Sequence, residues 1–172
     1  MATYKNTRKK YTEPKESPDK VEDIQAVYTI NKPNVEYVAA QLLGLNSPLS
    51  DDFLLIAATR KGIKKEALLS ISKKMGLDLT TLCGVLHIST KTFQRLPEDS
   101  ILDIYSSEQA IELALILAKA SEIFSDENHV KRWFNTPLLA LNGVSPVSLL
   151  DTGFGVKVVL QTLGRIEHGV YS

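Results

Sequence analysis

The stretch that most constrains this chain is AIELALILAKA, residues 110–120. Ile111, Ala114, Leu115 and Ala118, with Ile123 beyond, recur at helical spacing, while Leu113, Ile116 and Leu117 carry apolar surface around the other side. A helix apolar on more than one face is covered all round, either in the middle of a bundle or at a dimer contact. Ser107 is its expected N-cap, after a connection over 97–105.

The other periodicities supply partners for such a helix. Val35, Val38, Ala39, Leu42 and Leu43 mark a short amphipathic helix that Gly44 ends. After the Asn46-Ser47-Pro48 turn, Ser50 is the expected cap of a helix running from Asp51 to about Arg60, with Asp51 and Asp52 complementing its dipole. Ile63, Ala67, Leu68, Ile71 and Met75 form the stripe of the next, closed by Gly76. The elements then shorten. Asp78 or Thr80 starts a helix holding Leu82, Val85 and Leu86, a tight turn passes through His87 and Ile88, and Ser89 caps a second short helix with Phe93 and Leu96 inside. Two short helices around a tight turn are a helix-turn-helix signature. Beyond the central helix, Ser125 or Asp126 starts a helix through Val130, Trp133 and Phe134, Thr136-Pro137 interrupts, and Ser145-Pro146 reads as a cap with proline at N1. The expected fold is all-α.

With 172 residues, 44% of them apolar, the chain can bury a core of one compact domain or two small ones. Its single cysteine, Cys83, forms no intramolecular disulfide, and the N-terminal residues lack a signal-peptide pattern, so a cytoplasmic location is expected. No apolar run approaches the roughly 20 residues of a membrane span. The formal net charge of zero hides an asymmetry: residues 60–95 hold eight basic and two acidic residues, and residues 96–172 hold five basic and ten acidic. A basic module precedes an acidic one, and residues 1–33 read as a flexible basic tail.

Residues 148–160, SLLDTGFGVKVVL, contain the Asp-Thr-Gly of aspartic proteases and half of a dinucleotide-binding glycine loop. Neither setting is present. A protease places two such carboxylates in loops between strands so that they share a proton, whereas Val156, Val159, Leu160, Leu163 and Ile166 follow Thr152 on a helical template. Thr152 reads as an N-cap. The third glycine of a nucleotide loop is missing, and no strand precedes it. Gly153 and Gly155 are expected to permit close helix packing. Cys83 and His87, four apart, could share a metal, but no third ligand has suitable spacing, so no metal site and no cofactor are expected. The chain reads as a binding protein and not an enzyme.

Two groups of residues remain as binding candidates. In the second helix of the helix-turn-helix, Thr90, Lys91, Gln94 and Arg95 point outward and are types that bond phosphates or base edges. At the other end, LGRIEHGVYS closes a helix at Gly169 and leaves Val170, Tyr171 and Ser172 with an aromatic of the sort interfaces favour.

From Trp133 through FNTPLLALNGVSPVSLLDTGFGVKVVLQTLGRIEHGVYS, the chain resembles the C-terminal domain of Xre/MbcA/ParS-type antitoxins. Trp133, Pro137, Ala140, Leu141, Gly143, Pro146, Leu149, Leu150, Thr152, Gly155, Val159, Leu163, Arg165, Ile166, Gly169, Val170 and Tyr171 fall on that family's pattern. GVLHISTKTFQR, residues 84–95, is similar to its Xre-like helix-turn-helix. The family often continues the recognition helix into a second arginine and a longer basic loop, where Leu96-Pro97-Glu98-Asp99 stands here. The resemblance implies an Xre-like helix-turn-helix domain at 49–106, preceded by a short helix and turn at 34–48, and a small helical dimerisation and toxin-binding domain at 107–172. It implies a type II toxin-antitoxin partner: a homodimer within a larger complex that binds a RES-domain toxin, blocks its active site with the C-terminal region and represses its own operon. RES toxins degrade NAD, so NAD is a ligand of the toxin and not of this chain. By position, Arg165, His168, Gly169, Val170, Tyr171 and Ser172 become the toxin contact, and Thr90, Lys91, Gln94 and Arg95 the operator contact. The alternative is a free-standing transcriptional regulator whose C-terminal domain only dimerises.

Overall fold

Each helix start satisfies the amides that an α-helix leaves unpaired, in most cases with a side chain. In the computed structural model, which describes residues 34–169, Asn34 accepts from the Glu36 amide to open α1 (Val35–Leu42). Asp51, not Ser50, caps α2 (Asp52–Lys61) by accepting from the Leu54 amide at 2.9 Å. Helix α3 (Lys65–Met75) has no side-chain cap and is held instead by the chain beside it, the Lys65 amide donating to the Ser100 carbonyl at 2.9 Å. Asp78 caps α4 (Leu79–Val85) and Ser89 caps α5 (Thr90–Arg95). Asp103 caps α6 (Ile104–Ile123), Asp126 caps α7 (Glu127–Asn135) and Thr152 caps α8 (Gly153–Glu167). Two 3-10 turns, Leu139–Leu141 and Pro146–Leu149, lie between α7 and α8. The described residues contain eight α-helices and no strand, and the fold is all-α.

Helix α6 is the axis of the bundle, packing against α1, α2, α3, α7 and α8. Its buried side chains, among them Ala110, Ile111, Leu113, Ile116 and Leu117, face several directions, as its sequence requires. The cap differs from expectation. Helix α6 begins three residues before Ser107, and Ser107 lies fully buried within it. Its hydroxyl accepts from the Ile63 amide at 3.0 Å and donates to the Leu102 carbonyl at 3.2 Å, so it stitches the α2–α3 link to the start of α6. Asp103 takes the capping role because its carboxylate accepts from both the amide and the hydroxyl of Ser106.

The two glycines after Thr152 differ. A β-carbon on Gly155 would collide with the Leu149 carbonyl, whereas one on Gly153 would meet nothing within 4 Å. Only Gly155 therefore serves close packing, letting the first turn of α8 lie against the second 3-10 turn. Ser145 also departs from the expected cap: its side chain accepts no amide, and Pro146 at N1 opens a 3-10 turn and not an α-helix.

Candidate nucleic-acid and partner-binding sites

Helix α5 has six residues, too few to be stable alone. Three contacts fix it. Phe93, 1% exposed, sinks into the apolar core that also holds Leu82 and Leu86. Ser89 accepts from the Thr92 amide at 3.0 Å. Lys65, only 6% exposed, reaches from α3 to donate to the Leu96 carbonyl at 2.7 Å and lies 4.9 Å above the Phe93 ring. That ammonium closes the helix C-terminus, where a cation is favoured. Of the eight basic residues between 60 and 95, Lys65 is thus turned inward and bound to protein.

With Phe93 buried, Lys91, Gln94 and Arg95 are exposed on the opposite side at i, i+3 and i+4. Thr90 is half-buried at the first turn. The four candidates share one side of a helix whose other side is anchored, an arrangement suited to a groove or a phosphate backbone.

The turn between α4 and α5 holds the second feature that the sequence reading did not reach. His87 adopts φ +54°, uncommon for a residue with a side chain. Its Nε2 lies 2.7 Å from the Asp151 carbonyl oxygen. A carbonyl only accepts, so Nε2 carries the proton. The helix-turn-helix turn is thereby hydrogen-bonded to the residue that precedes the cap of α8. Asp151, the apparent protease carboxylate, contributes its backbone here. Cys83, four residues before, is buried, and burial pushes its thiol pKa up, so it is protonated at neutral pH and points into the core. Among the described residues, no three His, Cys, Asp or Glu side chains converge as metal ligands.

At the far end, α8 buries Val156, Val159, Thr162 and Leu163 and presents Arg165 to solvent in its last turn. His168 and Gly169 are exposed, Gly169 with φ +70°. Val170, Tyr171 and Ser172 lie outside the described residues, as does the basic tail of 1–33. The end of α8 is tied to the axis by Lys119, which pairs with Glu167 at 2.7 Å and Glu122 at 3.1 Å. Burial by itself would lower the Lys119 pKa, but the hydrogen bonds its ammonium donates to both carboxylates outweigh it and the net shift is upward. Asn135 donates to the Met75 carbonyl at 3.0 Å, pinning α7 to α3.

A short helix pair with a solvent-facing second helix, joined through one core to a helical C-terminal module, defines an all-α protein with a helix-turn-helix and an appended helical module. The comparisons place it more closely. Residues 54–115 match the family model of the antitoxin Xre-like helix-turn-helix domain, and residues 119–169 match that of the antitoxin Xre/MbcA/ParS C-terminal toxin-binding domain. One match ends and the other begins within α6. The chain is 26% identical over 127 residues to an Antitoxin Xre from Yersinia enterocolitica serotype O:8, covering 73% of this chain and 86% of that one. It is 24% identical over 127 residues to a protein named Prs ADP-ribosylating antitoxin from Sphingobium sp. strain YBL2, covering 68% and 80%. An Antitoxin Xre from Photorhabdus laumondii is 33% identical over 67 residues, 38% of this chain and 45% of that one. The chain belongs to the Xre/MbcA/ParS-type antitoxins, components of toxin-antitoxin systems that join a helix-turn-helix to a toxin-binding domain.

No helix among the described residues is long and apolar enough to cross a membrane.

Proposed function

We propose that this antitoxin acts in the cytoplasm by binding, without catalysis, a RES-domain toxin that degrades NAD, and that the segment from Arg165 to Ser172 occludes the toxin's active site. The match of residues 119–169 to a toxin-binding domain carries the reading, and the exposure of Arg165, His168 and Gly169 at the end of α8 supports it. Val170, Tyr171 and Ser172 complete the contact, with Tyr171 as its aromatic anchor. Residues 107–172 bear the toxin and residues 49–106 the operator, where Thr90, Lys91, Gln94 and Arg95 contact DNA as the antitoxin represses its own operon. The antitoxin works as a homodimer within a larger complex.

A second reading of the toxin's chemistry is favoured by the Sphingobium relative, whose name refers to ADP-ribosylation of Prs. Both chemistries break the bond between nicotinamide and ribose in NAD. They differ in the acceptor: water in degradation, a protein side chain in ADP-ribosylation. Incubating the toxin with labelled NAD separates them. Free ADP-ribose that disappears when the antitoxin is added supports the first reading, label transferred to protein supports the second, and turnover unaffected by the antitoxin contradicts both.

A further inference from the structure

Helices α2, α6 and α8 enclose an open groove of about 470 Å³ that neither the DNA-facing residues nor the end of α8 uses. Its walls are apolar and exposed. Ile56 of α2, Ile104 of α6 and Leu160 of α8 all line it while remaining open to solvent. Phe53, 83% exposed, precedes Ile56 and Arg60 by three and seven positions and so lies on their stripe of α2. A continuous patch of this kind, in contrast to scattered single residues, marks an interaction surface.

The groove also carries both signs of charge. Arg60 lies on the α2 wall, and Glu108 and Glu112 lie one turn apart on the α6 wall. None takes part in an ion pair among the described residues. The Glu112 Oε2 atom is buried without a hydrogen-bond partner, and burial, with Glu108 adding to it, raises the pKa of that carboxyl. An unpaired buried carboxylate oxygen in a groove that also holds an unpaired arginine is a costly arrangement in an isolated chain.

A two-fold axis resolves it. In an isologous contact the same patch meets itself, so a surface with a cation on one wall and acids on the other is complementary to its own copy. Apolar centres with arginine are also the composition that interface cores favour. A helix-turn-helix reads paired half-sites as a dimer, which requires a second copy of the chain. We propose that the α2–α6–α8 groove is the face through which two copies of this antitoxin pair, with Arg60 of each copy set against Glu108 and Glu112 of the other. The proposal rests on the homodimer reading given above and names its surface.

The test is the mass of the full chain by sedimentation and light scattering across a micromolar concentration series. The variants are Arg60→Glu, Glu108→Arg and the two combined, with melting curves to show that each is folded. Both positions are exposed, so neither change disturbs the core. The expected result is a dimer whose dissociation constant rises at least about tenfold in each single variant and returns to within about threefold in the charge-swapped double. Ile56→Glu is expected to weaken it similarly. A dimer indifferent to all four changes overturns the groove and leaves the homodimer intact. A chain monomeric at every concentration overturns both.

Discussion

Helices α5 and α8 carry the two candidate sites and are secured in opposite ways. Helix α5, at six residues, is held at its start by Ser89, in its middle by Phe93 and at its end by Lys65. Helix α8, at 15 residues, is seated at its base by Thr152 and Gly155, buries one stripe along its length and is touched near its far end by Lys119. The difference follows from helix physics. A single turn and a half gains too few hydrogen bonds to offset its nucleation and must borrow rigidity from neighbours, whereas four turns with a buried stripe sustain themselves and can project a terminus. A base reader needs the first arrangement. A helix that offers its end to a partner needs the second.

Breaking the base of α8 is expected to have the largest effect. Gly155→Val drives side-chain atoms into the Leu149 carbonyl, and because α8 and α6 share one core, the whole bundle should lose at least about 3 kcal/mol, at the top of the range for overpacking, in a denaturant melt. The matched Gly153→Ala, with open space at its β-carbon, should melt with the unaltered protein. Next comes the middle of α5: Phe93→Ala empties a fully buried site and should cost about 3–5 kcal/mol, with operator binding lost alongside.

Lys65 sharpens the comparison further, because it distinguishes a cation that positions α5 from cations that meet DNA. Lys65→Met should lower stability by about 1.5–3 kcal/mol and weaken operator binding without altering the slope of log affinity against log salt. Lys91→Ala and Arg95→Ala should each reduce that slope by about 1 with little effect on stability. A slope reduced equally by Lys65→Met would mean that its ammonium leaves Leu96 to reach phosphate. Ser89→Ala should cost about 1 kcal/mol.

The smallest effect is one of pH. The Thr81 amide, and then its hydroxyl, donate to Asp78 and hold its carboxyl below the ordinary carboxylate range. A depressed folded value contributes stability that is present above the unfolded value and lost as pH falls through the folded one. The loss therefore lies below about pH 4, and Asp78→Asn, which lacks the carboxylate's contribution at every pH, should flatten that limb of the acid melt by lowering neutral stability slightly toward the acid value.

Signals confined to a few residues were the ones legible in the sequence. Ser89 and Thr152 stood before apolar runs and do cap their helices, and of the two candidates Asp78 and Thr80 it is Asp78 that caps the next. The breadth of apolar positions in 110–120 called for a helix covered either in the middle of a bundle or at a dimer contact, and α6 lies in the middle of the bundle. Ser107 misled because its hydroxyl could serve either a cap or a buried amide, and its actual partner, Ile63, is 44 positions away. The outward face of α5 was readable from the spacing about Phe93. The inward turn of Lys65 was not, since its acceptor lies 31 residues on, and a lysine in a basic run looks like any other. The His87–Asp151 bond spans 64 residues and leaves no local trace. The groove between α2, α6 and α8 exists only after three separate segments have assembled.

The central claim is that the segment closing α8 silences a toxin. The direct measurement compares the full chain with one ending at His168, each co-purified with a RES-type toxin encoded beside it and assayed for NAD consumption. The account predicts that the full chain binds and silences the toxin while the shortened chain, folded to the same melting temperature, leaves NAD consumption running. Equal silencing by both chains would contradict it, and a full chain that ignores the toxin yet binds its own promoter would make this protein a regulator whose C-terminal domain only dimerises.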